Sequence, residues 1–201
     1  KFDSGGSSSG SGAAISANFS AVSLGSKTSG SILSPSSANS IVGLKPTIGL
    51  VSRSGIIPIS NTLDTSGPMT KNVIDNAIVL KAIQGYDPSD NKSAVVLKIN
   101  LESIMNSSLK DKRFGVFESF MKDSLYMNAI NTIKSLGGVI IKFKPQEINF
   151  NDFRKILDYD MKKDLPKYFN ENQISFSSVE DIYNFNLIDS IKRSPYGQGI
   201  F

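Results

Sequence analysis

The sequence predicts an α/β fold, and three observations carry that expectation. Residues 114–143 run strand, helix, strand; residues 73–85 carry a helical apolar stripe; and short apolar runs in the first 60 residues alternate with Gly- and Ser-rich loops. A strand–helix–strand order argues for a parallel pair joined by a crossover helix, because parallel strands cannot be linked by a tight hairpin.

Residues 4–12 contain only Ser and Gly. That composition reads as a flexible linker. The block also runs straight into Ala13-Ala14-Ile15-Ser16-Ala17-Asn18-Phe19, whose small and apolar residues suit a tightly packed helix, and both readings stand. Ala21-Val22-Ser23-Leu24 has the pattern of a buried strand; a second Ser/Gly-rich loop follows at 25–31, then a short segment to Asn39 broken by Pro35. Ile41-Val42-Gly43-Leu44 reads as another strand, ended by Lys45-Pro46-Thr47. From 48 to 69 the Gly, Pro and Ser content predicts irregular structure with short strands. Pro68 precedes a helix with Val73, Ala77, Leu80 and Gln84 along one line, Ile74, Ile78 and Ile83 beside it, and Gly85 as its stop. Strands at 114–117 and 139–143 flank a helix over 123–136 that Gly137-Gly138 terminates, and helices over 151–169 and 179–192 follow.

At 201 residues the chain is long enough to bury a sizeable core, and 39% hydrophobic with 20% charged residues excludes a wholly disordered or fibrous protein. The sequence has no His and no Cys. It therefore cannot by itself build a Ser-His-Asp triad, a Cys nucleophile, a disulfide or a His/Cys zinc site. Chemistry must run on hydroxyls, carboxylates, amines and backbone groups, with no cofactor expected and no acidic spacing suited to a metal.

The net charge of +4 is a mild surplus of 22 basic over 18 acidic residues. Residues 1–60 hold only Lys1, Asp3, Lys27, Lys45 and Arg53, and the later lysines alternate with acids. No basic stripe tracks a phosphate backbone, so nucleic acid is not an expected partner. No apolar run approaches the ~20 residues of a membrane span. The Gly/Ser-rich opening is not a signal peptide, and a cytoplasmic location is expected.

Two motif matches fail on context. Gly6-Ser7-Ser8-Ser9-Gly10 satisfies G-x-S-x-G, but that elbow needs a preceding strand and a histidine. The loop 25–31 begins like a P-loop and ends Gly30-Ser31-Ile32, without the lysine that reaches a phosphate. What remains is a pair of serine loops with glycines that let backbone N–H groups approach a ligand, as an oxyanion hole requires. A serine hydroxyl needs a base. Without His the usual one is a lysine kept neutral by burial, acting directly or through a second serine.

Five ordered blocks then stand out: Gly5-Gly6-Ser7-Ser8-Ser9-Gly10-Ser11, Gly25-Ser26-Lys27-Thr28-Ser29-Gly30-Ser31-Ile32, Val42-Gly43-Leu44-Lys45-Pro46-Thr47, Val51-Ser52-Arg53 and Asp64-Thr65-Ser66-Gly67-Pro68-Met69. Together they resemble the amidase signature family over residues 1 to about 90, with residues 49–60 and 64–69 most similar to its peptide amidases and related amidases. The A subunit of the glutamine-dependent tRNA amidotransferase is more distant in those blocks.

The resemblance implies a mixed β-sheet flanked by helices on both faces, incomplete at both ends. Residues 1–90 would form the signature core, and residues 91–201 the part of the same domain that shapes the substrate cleft. It maps the nucleophile onto Ser31 and the relay serine, preceded by a cis peptide bond, onto Ser7, 24 residues earlier. The oxyanion hole maps onto backbone N–H groups of Thr28, Ser29, Gly30 and Ser31. Ser8 is expected to hydrogen-bond the loop or the substrate, Arg53 and Asp64 to brace loops, and Lys45 to be structural at a strand end.

The family's lysine lies upstream of the relay serine. The chain is thus expected to be an internal piece of an amidase for small-molecule or peptide amides, poorly active without an N-terminal segment carrying that base. Lys27, Ser29 and Leu33 depart from the acidic, Gly/Asp and Arg residues common in the family, which leaves open a catalytically silent subunit. Lys27, four residues before Ser31, is expected to be exposed and protonated, with a pKa of about 10.4. Acidic residues beyond position 85 are expected on solvated faces, and Tyr159, Tyr168, Phe169 and Tyr183 in core or helix contacts.

Overall fold

The computed structural model describes residues 3–93, 96–146, 150 and 152–199. In chain order its elements are α1 (Ser9–Ser16), β1 (Val22–Lys27), α2 (Leu33–Ala38), β2 (Val42–Gly43), β3 (Thr65–Thr70), α3 (Val73–Ile83), α4 (Leu101–Met105), β4 (Arg113–Phe117), α5 (Ser124–Ser135), β5 (Val139–Phe143), α6 (Phe153–Glu171), α7 (Val179–Leu187) and α8 (Ser190–Arg193). They form two compact units, Lys1–Ile99 with Asn151–Phe201, and Asn100–Phe150. The predicted α/β class holds, with strands paired antiparallel in the first unit and parallel in the second.

In the first unit the sheet order is β1-β3-β2, both pairs antiparallel. The central strand, β3, is buried at every residue and is a short strand of the kind expected within the otherwise irregular stretch 48–69. Its Pro68 cannot donate to a ladder. Here it does not need to. The Pro68 carbonyl accepts from Leu44 N at 3.1 Å, so its nitrogen also faces the β2 side, where β2 pairs only Val42 with Thr70 and Gly43 with Met69. The ladder with β1 loses no bond. Asn76 of α3 closes the remaining gap, donating from Nδ2 to Val42 O and Pro68 O, each at 3.1 Å. Gly67 permits the close approach of the next segment, because a Cβ there would lie 2.2 Å from Leu44 O.

The linker reading of residues 4–12 fails from Ser9 onward, where α1 begins; Gly12 and Ile15 are its buried residues. The loop expected at 25–31 is shorter than read, since Gly25, Ser26 and Lys27 complete β1 against Gly67, Ser66 and Thr65. Pro35 does not break its segment but sits in the first turn of α2, where its missing N–H costs nothing. Helix α3 starts where Asn72 Oδ1 caps Asp75 N at 2.9 Å. Its buried residues are Asn76 and Leu80, whereas Val73, on the predicted apolar line, is exposed. Leu80 packs with Leu50 and Val51. The two C-terminal helices expected in this unit are three, because the stretch 179–192 breaks after Leu187.

The second unit contains α4, which the sequence reading lacks, and the predicted β4–α5–β5 crossover. Its strands pair in parallel from Arg113 with Val139 to Phe117 with Phe143. Asp123 caps α5 by accepting from Tyr126 N at 2.8 Å, and Val116 and Ile130 are buried. Among the described residues no helix is long and apolar enough to cross a membrane.

Candidate active site

Ser7 and Ser31 line one small cavity of about 30 Å³, together with Ser26, Lys27, Thr28, Ile57, Ile59 and Asp64. Three local features bring them there. The Ser8 N–H donates to Ser31 O at 3.1 Å, tying the two serine loops directly. The Ser8 hydroxyl donates to Ser26 O at 3.1 Å and accepts from Ser26 N at 3.3 Å, fastening the first loop to the end of β1. Gly25 leaves room for that hydroxyl, since a Cβ there would stand 3.0 Å from Ser8 Oγ and 2.9 Å from Met69 Sδ. The Gly6–Ser7 peptide bond is cis. Ser8 thus spends its side chain on the loop.

The segment from Thr28 to Ser31 leaves β1 and enters α2. Among the described residues, none of its four backbone N–H groups donates to a protein acceptor. Its start is held by Asp64. One carboxylate oxygen accepts the Thr28 hydroxyl, and the other accepts the backbone N–H groups of Ile59 at 2.8 Å and Ser60 at 2.9 Å. A carboxylate so used is a clamp between two loops.

Arg53 braces a different loop. Its Nε donates to Asp90 Oδ2 at 2.9 Å, Nη2 reaches Asp90 Oδ1, Nη1 donates to Asn61 O at 2.6 Å, and its own N–H donates to Asp90 Oδ2 at 2.9 Å. Both side chains are buried. The guanidinium hydrogen bonds hold the Asp90 carboxyl at about 2 against the opposing effect of burial, with the Lys92 and Arg53 backbone N–H groups and the Arg53 charge adding to them. Arg53, Asp90, Asn61, Asp164 and Tyr168 border a larger hollow of about 370 Å³, which shares Ile56 and Asp64 with the serine cavity.

Several expectations are corrected here. Lys27 is buried, with 6% of its surface exposed, and desolvation, then the charge of Lys45, push its pKa below the ordinary lysine value. Its place in β1 opposite fully buried Thr65 explains this. Leu33 opens α2 half-exposed. Phe169 is buried, but Tyr159 is 67% exposed.

The acidic residues beyond position 85 do not all sit on solvated faces. Asp90 and Asp160 are buried. The Asp160 carboxylate accepts the hydroxyl of fully buried Ser60. Burial alone would raise its pKa; hydrogen bonds from Ser60 and Thr62 and the Lys163 charge outweigh that and hold it below the ordinary carboxylate value. One turn later, Asp164 Oδ2 accepts Asn61 N at 2.7 Å. Sequence reasoning missed these two; their i, i+4 spacing on a helix is the signal that places them on one face.

A model of the amidase family matches residues 1–193. The A subunit of glutamyl-tRNA(Gln) amidotransferase from Staphylococcus aureus is 41% identical over 143 residues, covering 68% of this chain and 30% of that protein. A probable amidase from Arabidopsis thaliana is 43% identical over 141 residues, covering 68% of this chain and 27% of its own length. Among solved structures, native peptide amidase from Stenotrophomonas maltophilia superposes with a TM-score of 0.86 at 35% identity, over 99% of this chain and 43% of that one. The amidotransferase A subunit from Thermotoga maritima gives 0.70 at 29% identity over 97% of this chain. The chain therefore spans less than half the length of these relatives. A family match running through nearly all of the sequence, and a backbone that follows a solved amidase from end to end, place this chain in the amidase family.

Proposed function

We propose that the protein containing this chain hydrolyses the C–N bond of small-molecule or peptide amides, with Ser31 as nucleophile and Ser7 as proton relay. The observation that carries this reading is the shared cavity: both serines border it, under a loop whose N–H groups from Thr28 to Ser31 have no protein acceptor among the described residues.

Ser31 Oγ attacks the amide carbonyl carbon while its proton passes to Ser7, and the Ser7 proton passes to a lysine amine. Family resemblance assigns that lysine to a segment upstream of Ser7. The carbonyl oxygen becomes an oxyanion facing the N–H groups of Thr28, Ser29, Gly30 and Ser31, each such donor being worth about 3 kcal/mol in a transition state. Collapse breaks the C–N bond, and the leaving amine takes the proton back along the same path. Water then attacks the acyl-Ser31 ester, releasing the acid and restoring the hydroxyl. Likeness to peptide amidase supports the substrate class.

A fluorophosphonate probe applied to the full-length protein is expected to label Ser31, located by peptide mass spectrometry. Ser31→Ala is expected to lower amidase turnover by about a thousandfold or more, since loss of a nucleophile leaves only binding and oxyanion stabilisation. Undiminished turnover in that variant sinks the assignment. The amidotransferase relative supports a second reading, an A subunit that releases ammonia from glutamine within a larger complex. Glutaminase activity that appears only with co-purifying partners would select it. The departures at Lys27, Ser29 and Leu33 support a silent subunit; turnover restored by the upstream segment, in cis or in trans, dismisses that one.

A further inference from the structure

Two carboxylates of α6, about 100 residues away in sequence, hold the loop that positions the serine site. Asp160 takes the Ser60 hydroxyl, and Asp164 takes the N–H of Asn61 at 2.7 Å. The Ser60 and Ile59 N–H groups in turn hold Asp64, and Asp64 holds Thr28, where the segment begins whose N–H groups have no protein acceptor among the described residues. Every link is a charge-assisted hydrogen bond, shorter and stronger than one between neutral groups.

Stability alone is a poor explanation for Asp160. It is buried at 8% exposure, and among the described residues it has no salt-bridge partner. Burying a carboxylate carries a desolvation cost that an apolar side chain of similar volume avoids, and here the hydrogen bonds and the Lys163 charge must offset it. Positioning is what such an arrangement gives in return, because the clamp reaches the loop from which an oxyanion would be bound.

We propose that Asp160 and Asp164 are positioning residues for the Ser31 site, setting the Thr28–Ser31 segment through Ser60, Asn61 and Asp64. Neither touches the reacting atoms. The inference rests on Ser31 being the nucleophile. A displacement near 1 Å in such a site costs on the order of a hundredfold in rate, which sets the upper end of the expected effect.

The test is the saturation kinetics of fluorophosphonate labelling at Ser31 in the full-length protein, with amide hydrogen exchange followed over residues 24–33. Asp160→Ala is expected to lower the limiting labelling rate about 10- to 100-fold, with the half-saturating probe concentration within twofold of wild type and faster exchange at 28–31. Asp160→Asn keeps an acceptor for the Ser60 hydroxyl and is expected to recover the rate to within about threefold. Ser60→Ala removes one hydroxyl only, and serves if Asp160→Ala does not fold; its expected loss is about tenfold. Combined with Asp160→Ala it should add less than twofold, because both act on one path. A wild-type labelling rate and wild-type exchange at 28–31 in Asp160→Ala, with only its melting temperature lowered, overturns the proposal. Absence of Ser31 labelling in the wild type refutes the nucleophile assignment instead, and the exchange measurement still decides whether α6 sets the loop.

Discussion

The unit that carries the serines and the Asn100–Phe150 unit both bury apolar side chains, among them Ile15, Ile32, Met69 and Phe169 in the first, but differ in what else they bury. In the unit with Ser7 and Ser31, Lys27, Arg53, Ser60, Asp64, Thr65 and Asp90 are buried as well, and side-chain hydrogen bonds fix one loop on another. In the Asn100–Phe150 unit the buried residues among those described are Val116 and Ile130, and Phe117 lies 4.6 Å from Phe143, centroid to centroid. Apolar burial is nondirectional and tolerates small shifts, whereas buried polar pairs enforce one geometry and penalise loss of either partner. If, as proposed, this region holds backbone N–H groups on a reacting oxygen, it has use for the second kind. A crossover unit needs only the first.

The sharpest way to break this contrast is to remove one member of the Arg53–Asp90 pair. Asp90→Ala leaves a buried guanidinium uncompensated and frees the Arg53 backbone N–H, so a loss of roughly 3–5 kcal/mol in unfolding free energy is expected by urea denaturation. A loss below 1 kcal/mol would show that the polar framework contributes little. Next in size is Ile130→Ala in α5. With Ile130 at 2% exposure, truncation leaves a cavity in an apolar face and is expected to cost about 3 kcal/mol in the same measurement. Ile130→Val should cost only about 1 kcal/mol, as apolar packing implies. A valine variant as damaging as alanine would mean that the second unit is as geometrically strict as the first.

The same difference decides what was legible in the sequence. The β4–α5–β5 crossover was readable because apolar periodicity reports burial, and Gly137-Gly138 marks the helix end. The short strands expected over 48–69 could not be placed as β3, because Thr65, Ser66, Gly67 and Pro68 carry no apolar alternation and are buried by hydrogen bonding and close approach. Ser7 and Ser31 follow from the resemblance to the amidase signature family, which ordered sequence blocks carry and periodicity does not, and the two border one cavity. Lys27 was misjudged because lysine is seldom buried, and nothing local announces the partner strand that covers it. Asp160 and Asp164 were invisible as bracing residues because their partners lie 100 and 103 residues away.

A smaller effect sharpens the comparison through pH. The Asp90 carboxyl is held at about 2 in the folded protein against an ordinary 3.8. Because the folded value is the lower one, the unfolded chain takes up the proton first as pH falls. The stabilisation is complete above about pH 4, declines between about 4 and 2, and is absent below that. A fully dry site would make this about 2.5 kcal/mol; because Arg53 and Asp90 border an open hollow, solvent screening reduces it to roughly 1–2 kcal/mol. Asp160, whose pKa is also lowered, loses stabilisation with the same sign. Urea titrations at pH 5 and pH 2.5 on wild type and Asp90→Asn separate the two contributions. Asn cannot titrate, so its stability should fall less between those pH values by roughly two-thirds of that amount, pH 2.5 still lying above the folded value. Parallel losses in the two proteins would mean that the Arg53–Asp90 pair does not set the acid sensitivity of the unit that carries the serines, and that the remaining carboxylates do.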